Sequence, residues 1–135
     1  MVTKAVIIAA GRGSRLKGRY ENMPKPLVPV AGVGLLKRTI LTAKRAGITD
    51  FAIVIGYRAD EIRAAIEQDS QIDVRIDWIR NDAWEEGNGK SVLAAREAVG
   101  NDSFVLTMSD HLFDSQIITS LRNANLAKDE CALAV

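Results

Sequence analysis

Residues 5–10 read Ala-Val-Ile-Ile-Ala-Ala, an unbroken apolar run that empties straight into Gly11-Arg12-Gly13-Ser14-Arg15-Leu16. A strand without polar alternation has no face left for solvent, so both of its sides must be covered, the condition met in a parallel sheet sandwiched by helices. The rest of the chain repeats the theme. Apolar runs predict strands over 4–10, 50–55, 73–79, 103–108 and 130–135, separated by helical patterns over 33–46, 59–68, 89–99 and 115–127. The first helix gathers Val33, Leu36, Ile40 and Ala43 on one face, turns Lys37, Arg38 and Lys44 away, and is closed by Gly47. The third offers Val92, Leu93, Ala95, Arg96 and Val99, with Gly100-Asn101 as its stop. Strand and helix in alternation imply an α/β fold: a three-layer sandwich around a mostly parallel, doubly wound, Rossmann-like sheet with right-handed crossovers.

Ligands of such sheets sit beyond the carboxyl ends of the strands. The glycine loop after the first strand is therefore a candidate site. Gly11 and Gly13 lack a Cβ and can take φ > 0, so the backbone can curl with its N–H groups around an anion. Arg12, Arg15 and Lys25, the last held in Pro24-Lys25-Pro26, bring three cations to the same mouth. A polyphosphate, and a triphosphate in particular, fits that chemistry. Two other glycine loops fit poorly. The dinucleotide fingerprint needs a small residue where Leu16 stands, and a P-loop traced from Gly13 to Gly18 has Arg19 and Tyr20 in place of Lys and Ser or Thr.

Two further segments follow strands and should reach the same edge. Asp110 comes directly after Phe104-Val105-Leu106-Thr107-Met108 and Ser109. One carboxylate plus phosphate oxygens is a common way to hold magnesium, while an Asp here serves equally as the cap of the next helix. His111, the only histidine, rules out a multi-histidine zinc site; it either orients a substrate phosphate or is a solvated turn residue. The polar stretch from Asn81 through Trp84, Glu86, Gly87, Asn88 and Gly89 can read a base edge with amides and backbone groups. Alternatively Asn88 is an N-cap and the stretch a capped loop.

Composition excludes several classes. At 135 residues, with 47% hydrophobic and 26% charged residues, the chain has the makings of one globular unit, taken as a single domain over 1–135. A net charge of +1 gives no global field for nucleic acid. Cys131 is alone, no signal-peptide pattern opens the chain and no apolar run is long enough to span a bilayer, so a cytoplasmic setting without membrane contact is expected. The apolar run Ala132-Leu133-Ala134-Val135 continues to the last residue, and the chain is expected to be the amino-terminal, nucleotide-binding part of a longer, C-terminally truncated domain.

The opening A-A-G-x-G-S-R-L with P-K-P-L, then N-D-x-W-x-E-x-N-G, then a strand ending in S-D-H, resembles the sugar-phosphate nucleotidyltransferase (MobA-like) family over almost the whole chain. The pairing of Glu86-Gly87-Asn88-Gly89 with Met108-Ser109-Asp110-His111 is most similar to CTP:inositol-1-phosphate cytidylyltransferases; phosphocholine cytidylyltransferases often carry a second Asn where Gly89 stands. This resemblance implies that Ala9, Ala10, Gly11, Arg12, Gly13, Ser14 and Arg15 wrap the nucleotide, that Arg15 and Lys25 face its phosphates in catalysis, and that Asp110 binds Mg2+. It implies a substrate phosphate attacking the α-phosphorus in line as pyrophosphate leaves. UTP-, GTP- or dTTP-using sugar-1-phosphate transferases are the neighbouring expectation, and a nucleotide-sensing module without chemistry the one outside enzymes. The resemblance also allows fusion to or association with a lipid-phosphate synthase. Family members are longer, with a further metal-binding aspartate in their second half, so weak activity at best is expected of these 135 residues alone.

Overall fold

A computed structural model describes residues 1–13 and 18–135 of the chain. Four strands make the central sheet: β1 (Lys4–Ala9), β4 (Asp50–Ile55), β5 (Arg75–Arg80) and β6 (Phe104–Met108). All three pairings are parallel and the order is β5-β4-β1-β6. The chain moves outward from β1 through β4 to β5, then crosses back to place β6 on the other side of β1. The order thus reverses between β1 and β6, and the crevice at that reversal is where open α/β sheets bind ligands.

Alternate residues of β1 feed two cores. Ala5, Ile7 and Ala9 join Leu36, Ile40 and Ala43 of α1 (Leu35–Arg45), Ile62 and Ile66 of α2 (Ala59–Glu67) and Ile118 of α5 (Ser115–Arg122). Val6, Ile8 and Ala10 join Ala95 and Val99, around α3 (Asn88–Ala94) and α4 (Arg96–Val99), on the opposite face. At β1 and β4 the sheet is therefore covered on both sides, as their apolar runs require, whereas Phe104 and Leu106 of β6 are 39% and 46% exposed. Leu36, Ile40 and Ile53 are fully buried, each contributing about 1.5–3 kcal/mol through burial.

The predicted elements shift in five places. The first helix starts at Leu35 rather than Val33 because β2 (Pro29–Val30) and β3 (Val33–Gly34) form a small hairpin. Its two loop residues, Ala31 and Gly32, have φ of 50° and 79°, the backbone a two-residue hairpin turn demands. The third helix breaks at Ala95 into α3 and α4, and Leu93 faces solvent at 58% exposure instead of joining the apolar face. The fourth ends at Arg122, with Asn123 as its C-cap, five residues early; Asn123 and Asn125 bond readily to nearby backbone and disfavour continued helix. The third strand runs over Arg75–Arg80, because its register on β4 pairs Asp50 with Arg75 and leaves residues 73 and 74 outside the ladder. Residues 130–135 form no strand. Strand propensity acts through pairing and packing, and these residues pair with no edge.

Candidate functional site

The carboxyl edge of the sheet collects the candidate residues through backbone bonds that extend its ladders. Ser109 N–H donates to Ile8 O (3.0 Å), Tyr57 N–H to Ala10 O (2.9 Å), and Asn81 N–H to Ile55 O (2.8 Å). Each loop thus leaves its strand from a fixed point. Ala9 and Ala10 are 3% and 1% exposed, their methyl groups in the two cores. Only their backbone is available to a ligand.

Lys25 reaches the crevice from a single 3-10 turn, Lys25–Leu27, flanked by the buried Pro24 and Pro26. Proline fixes φ on both sides of the lysine, so its backbone is set before any ligand arrives. Its Nζ donates to Asp110 Oδ2 at 2.8 Å, across 85 residues of sequence. Gly13 lies against the lysine stem: its φ is 67°, and a methyl group there would sit 2.7 Å from Lys25 Cβ. Both the left-handed backbone and the close approach require glycine. Gly11 differs from expectation, since it has no positive φ and nothing near its missing side chain. Of the two glycines, Gly13 alone takes the left-handed backbone.

Asp110 is not a helix cap. Asp114 caps α5, its side chain accepting from Gln116 N–H. Asp110 instead turns to Lys25 with Oδ2, while Oδ1 is buried and accepts no hydrogen bond among the described residues. His111, largely exposed, brings Nε2 to 3.6 Å of Oδ1, too far to bond. Burial pushes the Asp110 carboxyl up, but the hydrogen bond and charge of Lys25, with the charge of His111, outweigh it and hold the group below the usual aspartate range. The result is an ionised carboxylate with one oxygen bonded to Lys25 and one buried oxygen that accepts no hydrogen bond among the described residues. Unsatisfied buried acceptors are uncommon and call for an explanation. A hard cation beside phosphate oxygens supplies one, because Mg2+ is commonly held by one or two carboxylates plus substrate phosphates. No group of three or more metal-ligating side chains exists among the described residues, so Asp110 would need those phosphates to complete the coordination.

The middle loop is arranged differently. Asn81 is 6% exposed, its Nδ2 donating to Ser91 Oγ (2.9 Å) and its Oδ1 accepting from Ala83 N–H (3.0 Å). Its side chain clamps the loop to α3. Asn88 is not an N-cap either. Gly87, with φ of 103°, holds that position and no side chain caps α3. Glu86, Gly87, Asn88 and Gly89 are exposed, and Glu86 lies 3.5 Å from Lys90. Ser14 and Arg15 lie outside the described residues.

Two residues escaped the sequence reading. Tyr57 and Arg58 follow β4, and with Arg12, Gly13, Glu21, Asn22 and Met23 they line a cavity of about 560 Å³. The Arg12 guanidinium stands 5.8 Å from the Tyr57 ring centre, within cation–π range. Gly56 was the available signal, because it repeats the pattern of an apolar strand ending in glycine seen at Gly11.

Residues 5–135 match the profile of the MobA-like NTP transferase domain. The chain is 42% identical over 115 residues to the bifunctional IPC transferase and DIPP synthase of Archaeoglobus fulgidus, covering 85% of this chain and 22% of that relative. It is 32% identical over 130 residues to a glucose-1-phosphate thymidylyltransferase of Streptomyces griseus, covering 96% of this chain and 36% of that one. The solved inositol-1-phosphate CTP transferase from T. maritima superposes with a TM-score of 0.77, covering 96% of this chain and 50% of that one; at 23% identity the likeness is one of fold. The chain spans about a fifth to a third of the length of these curated relatives.

Proposed function

The chain belongs to the MobA-like NTP transferase domain family, and on that premise we propose that it serves nucleotidyl transfer from a nucleoside triphosphate to a phosphorylated small molecule, CTP and inositol 1-phosphate being the preferred pair. The carrying observation is the Lys25–Asp110 contact at the β1–β6 crevice, with Asp110 Oδ1 buried and accepting no hydrogen bond among the described residues. The identity to a relative named for IPC transfer, 42% over 115 residues, supports the choice of acceptor.

In this reading an oxygen of the acceptor phosphate forms a bond to the α-phosphorus as the bond from that phosphorus to the bridging oxygen of pyrophosphate breaks. No enzyme nucleophile takes part. The backbone around Gly13 receives the polyphosphate, Lys25 exchanges Asp110 for phosphate oxygens, and Arg12 adds a second cation at the mouth. Asp110 is the residue that would hold Mg2+ there, together with phosphate oxygens. When bound, that ion supplies charge neutralisation on the phosphate oxygens. Preorganised cations aimed at developing charge are the main source of catalysis in such transfers, since there is little covalent chemistry for the protein to do. His111, largely exposed beside Asp110, would in this reading meet the acceptor phosphate.

A second reading, a sugar-1-phosphate as acceptor and dTTP as donor, is favoured by the match to the thymidylyltransferase over 96% of this chain. One screen separates the two. CTP, UTP, GTP and dTTP are each offered with Mg2+ to the chain, alone for binding by calorimetry and with inositol 1-phosphate, glucose 1-phosphate or phosphocholine for pyrophosphate release. Tightest binding of CTP, with release fastest alongside inositol 1-phosphate, is expected. Preference for dTTP with glucose 1-phosphate overturns the first reading in favour of the second.

A further inference from the structure

Three segments that sequence separates by many residues converge on one aromatic ring. Tyr57 is tied by its backbone N–H to Ala10 O, where the glycine loop begins. Its ring packs at 5.4 Å and 59° against Trp84 of the middle loop, an edge-inclined arrangement that aromatic pairs favour. On the same ring stands the Arg12 guanidinium. Gly56 makes the convergence possible, because a methyl group there would lie 2.8 Å from both Asn81 O and Trp84 Cβ.

The turn that aims this ring is strained. Arg58 has φ of 52° and ψ of 41° and stands at the N-cap of α2 without a capping side chain. A β-branched-free but bulky residue in the left-handed region costs about 1–2 kcal/mol, and an N-cap normally has extended backbone and a short polar side chain. Arg58 is held there by Glu61, whose Oε2 accepts from its Nε at 2.7 Å, and by a bond from Nη1 to Asn22 O. Strain kept in place by two partners, beside a cavity that Tyr57 lines, is the kind found at ligand clamps.

We propose that Tyr57 is a positioning residue that holds Arg12 and Trp84 in one stack, so that polyphosphate binding at the glycine loop is transmitted to the middle loop through its ring. This rests on the nucleotidyltransferase reading and deepens it: the phosphate half and the base half of the nucleotide are bound cooperatively. Tyr57 itself need not touch the nucleotide. Without the ring, Arg12 loses the surface that orients it, and Trp84 loses its packing partner on the mouth side.

The test uses Trp84 as reporter, in a Trp78→Phe background that removes the other tryptophan. Inorganic tripolyphosphate with Mg2+ is the probe, since it has no base to meet the middle loop. Tripolyphosphate is expected to change Trp84 emission when Tyr57 or Tyr57→Phe is present and to leave it unchanged in Tyr57→Leu. Calorimetry on the same proteins should show CTP binding about tenfold weaker for Tyr57→Leu, restored to within about threefold by Tyr57→Phe, and the Arg12→Met, Tyr57→Leu double variant no worse than Arg12→Met by more than twofold, as coupled residues behave. A Trp84 response to tripolyphosphate that survives in Tyr57→Leu, or fully additive losses, overturns the proposal while leaving nucleotide binding intact. Absence of any CTP binding by the unmodified chain instead overturns the nucleotidyltransferase reading on which it stands. Unfolding of Tyr57→Leu is checked by circular dichroism, and in that event Arg12→Met decides: Trp84 must then cease to respond to tripolyphosphate, and a persisting response refutes the stack.

Discussion

Lys37 meets Asp69 at 2.7 Å and Lys25 meets Asp110 at 2.8 Å, both pairs partly exposed, yet they differ in what is left over. Asp69 has no spare oxygen: Oδ2 takes Lys37 and Oδ1 takes Gln71 N–H at 3.0 Å, while Lys37 also donates to Gln71 Oε1. That pair ties α1 to the turn after α2. Asp110 keeps a buried oxygen that accepts no hydrogen bond among the described residues, and its lysine stands on a proline-braced turn against a left-handed glycine. The first pair is complete as a piece of structure. The second, in the proposed reading, is completed by a ligand.

The contrast is most exposed to attack at the lysines. Lys25→Ala should lower pyrophosphate release from CTP about a hundred- to thousandfold, the usual consequence of losing one donor to developing charge, whereas Lys37→Ala should change it less than twofold. Equal losses would erase the distinction. Next comes Gly13→Ala, which forces a Cβ into Lys25 and a side chain into φ of 67°. Calorimetry should show CTP binding weakened about tenfold, in line with the roughly 1–2 kcal/mol that left-handed backbone costs an alanine.

A smaller effect appears in stability and in the opposite order. Asp69→Ala should cost about 1 kcal/mol in urea unfolding, the scale of hydrogen bonds to a partly exposed ion pair. Asp110→Ala should lie within about 0.5 kcal/mol of the unmodified protein, because it also removes an unsatisfied acceptor. A large loss at Asp110 would mark it as structural instead. The smallest effect concerns pH. For Asp69 the Lys37 hydrogen bond leads in holding the carboxyl below its ordinary value, with Gln71 N–H next; for Asp110 burial opposes and Lys25 prevails. Folded values below the unfolded value of about 3.9 mean stabilisation that is present above that pH and lost as pH falls through the folded value. Stability should therefore be indifferent to these groups between about pH 5 and 8. Its acid limb below about pH 4 should flatten in Asp69→Asn and in Asp110→Asn, as followed by circular dichroism.

The layers were legible in the sequence because burial leaves a compositional trace. The runs at 5–10 and 50–55 have no polar alternation, and only strands covered on both faces tolerate that. The helix of Leu36, Ile40 and Ala43 was legible for the same reason. What failed was decided by strand pairing and by where elements stop, neither of which a burial pattern records. Val33 reads as helix until Val30 pairs with it, Leu93 reads as core until α3 ends at Ala94, and residues 130–135 read as strand but find no partner.

The site divides along the same line. Sequence by itself determined the inventory at one sheet edge: glycines after an apolar strand, a lysine between prolines, and an aspartate after another apolar strand. Tertiary structure alone decided their relations. It joined Lys25 to Asp110 across 85 residues, withdrew Asn81 into a clamp with Ser91, and brought Tyr57 against both Arg12 and Trp84. The physical reason is that apolar burial is written in local pattern, whereas an ion pair or an aromatic stack depends on where parallel crossovers deliver strand ends that are remote in sequence.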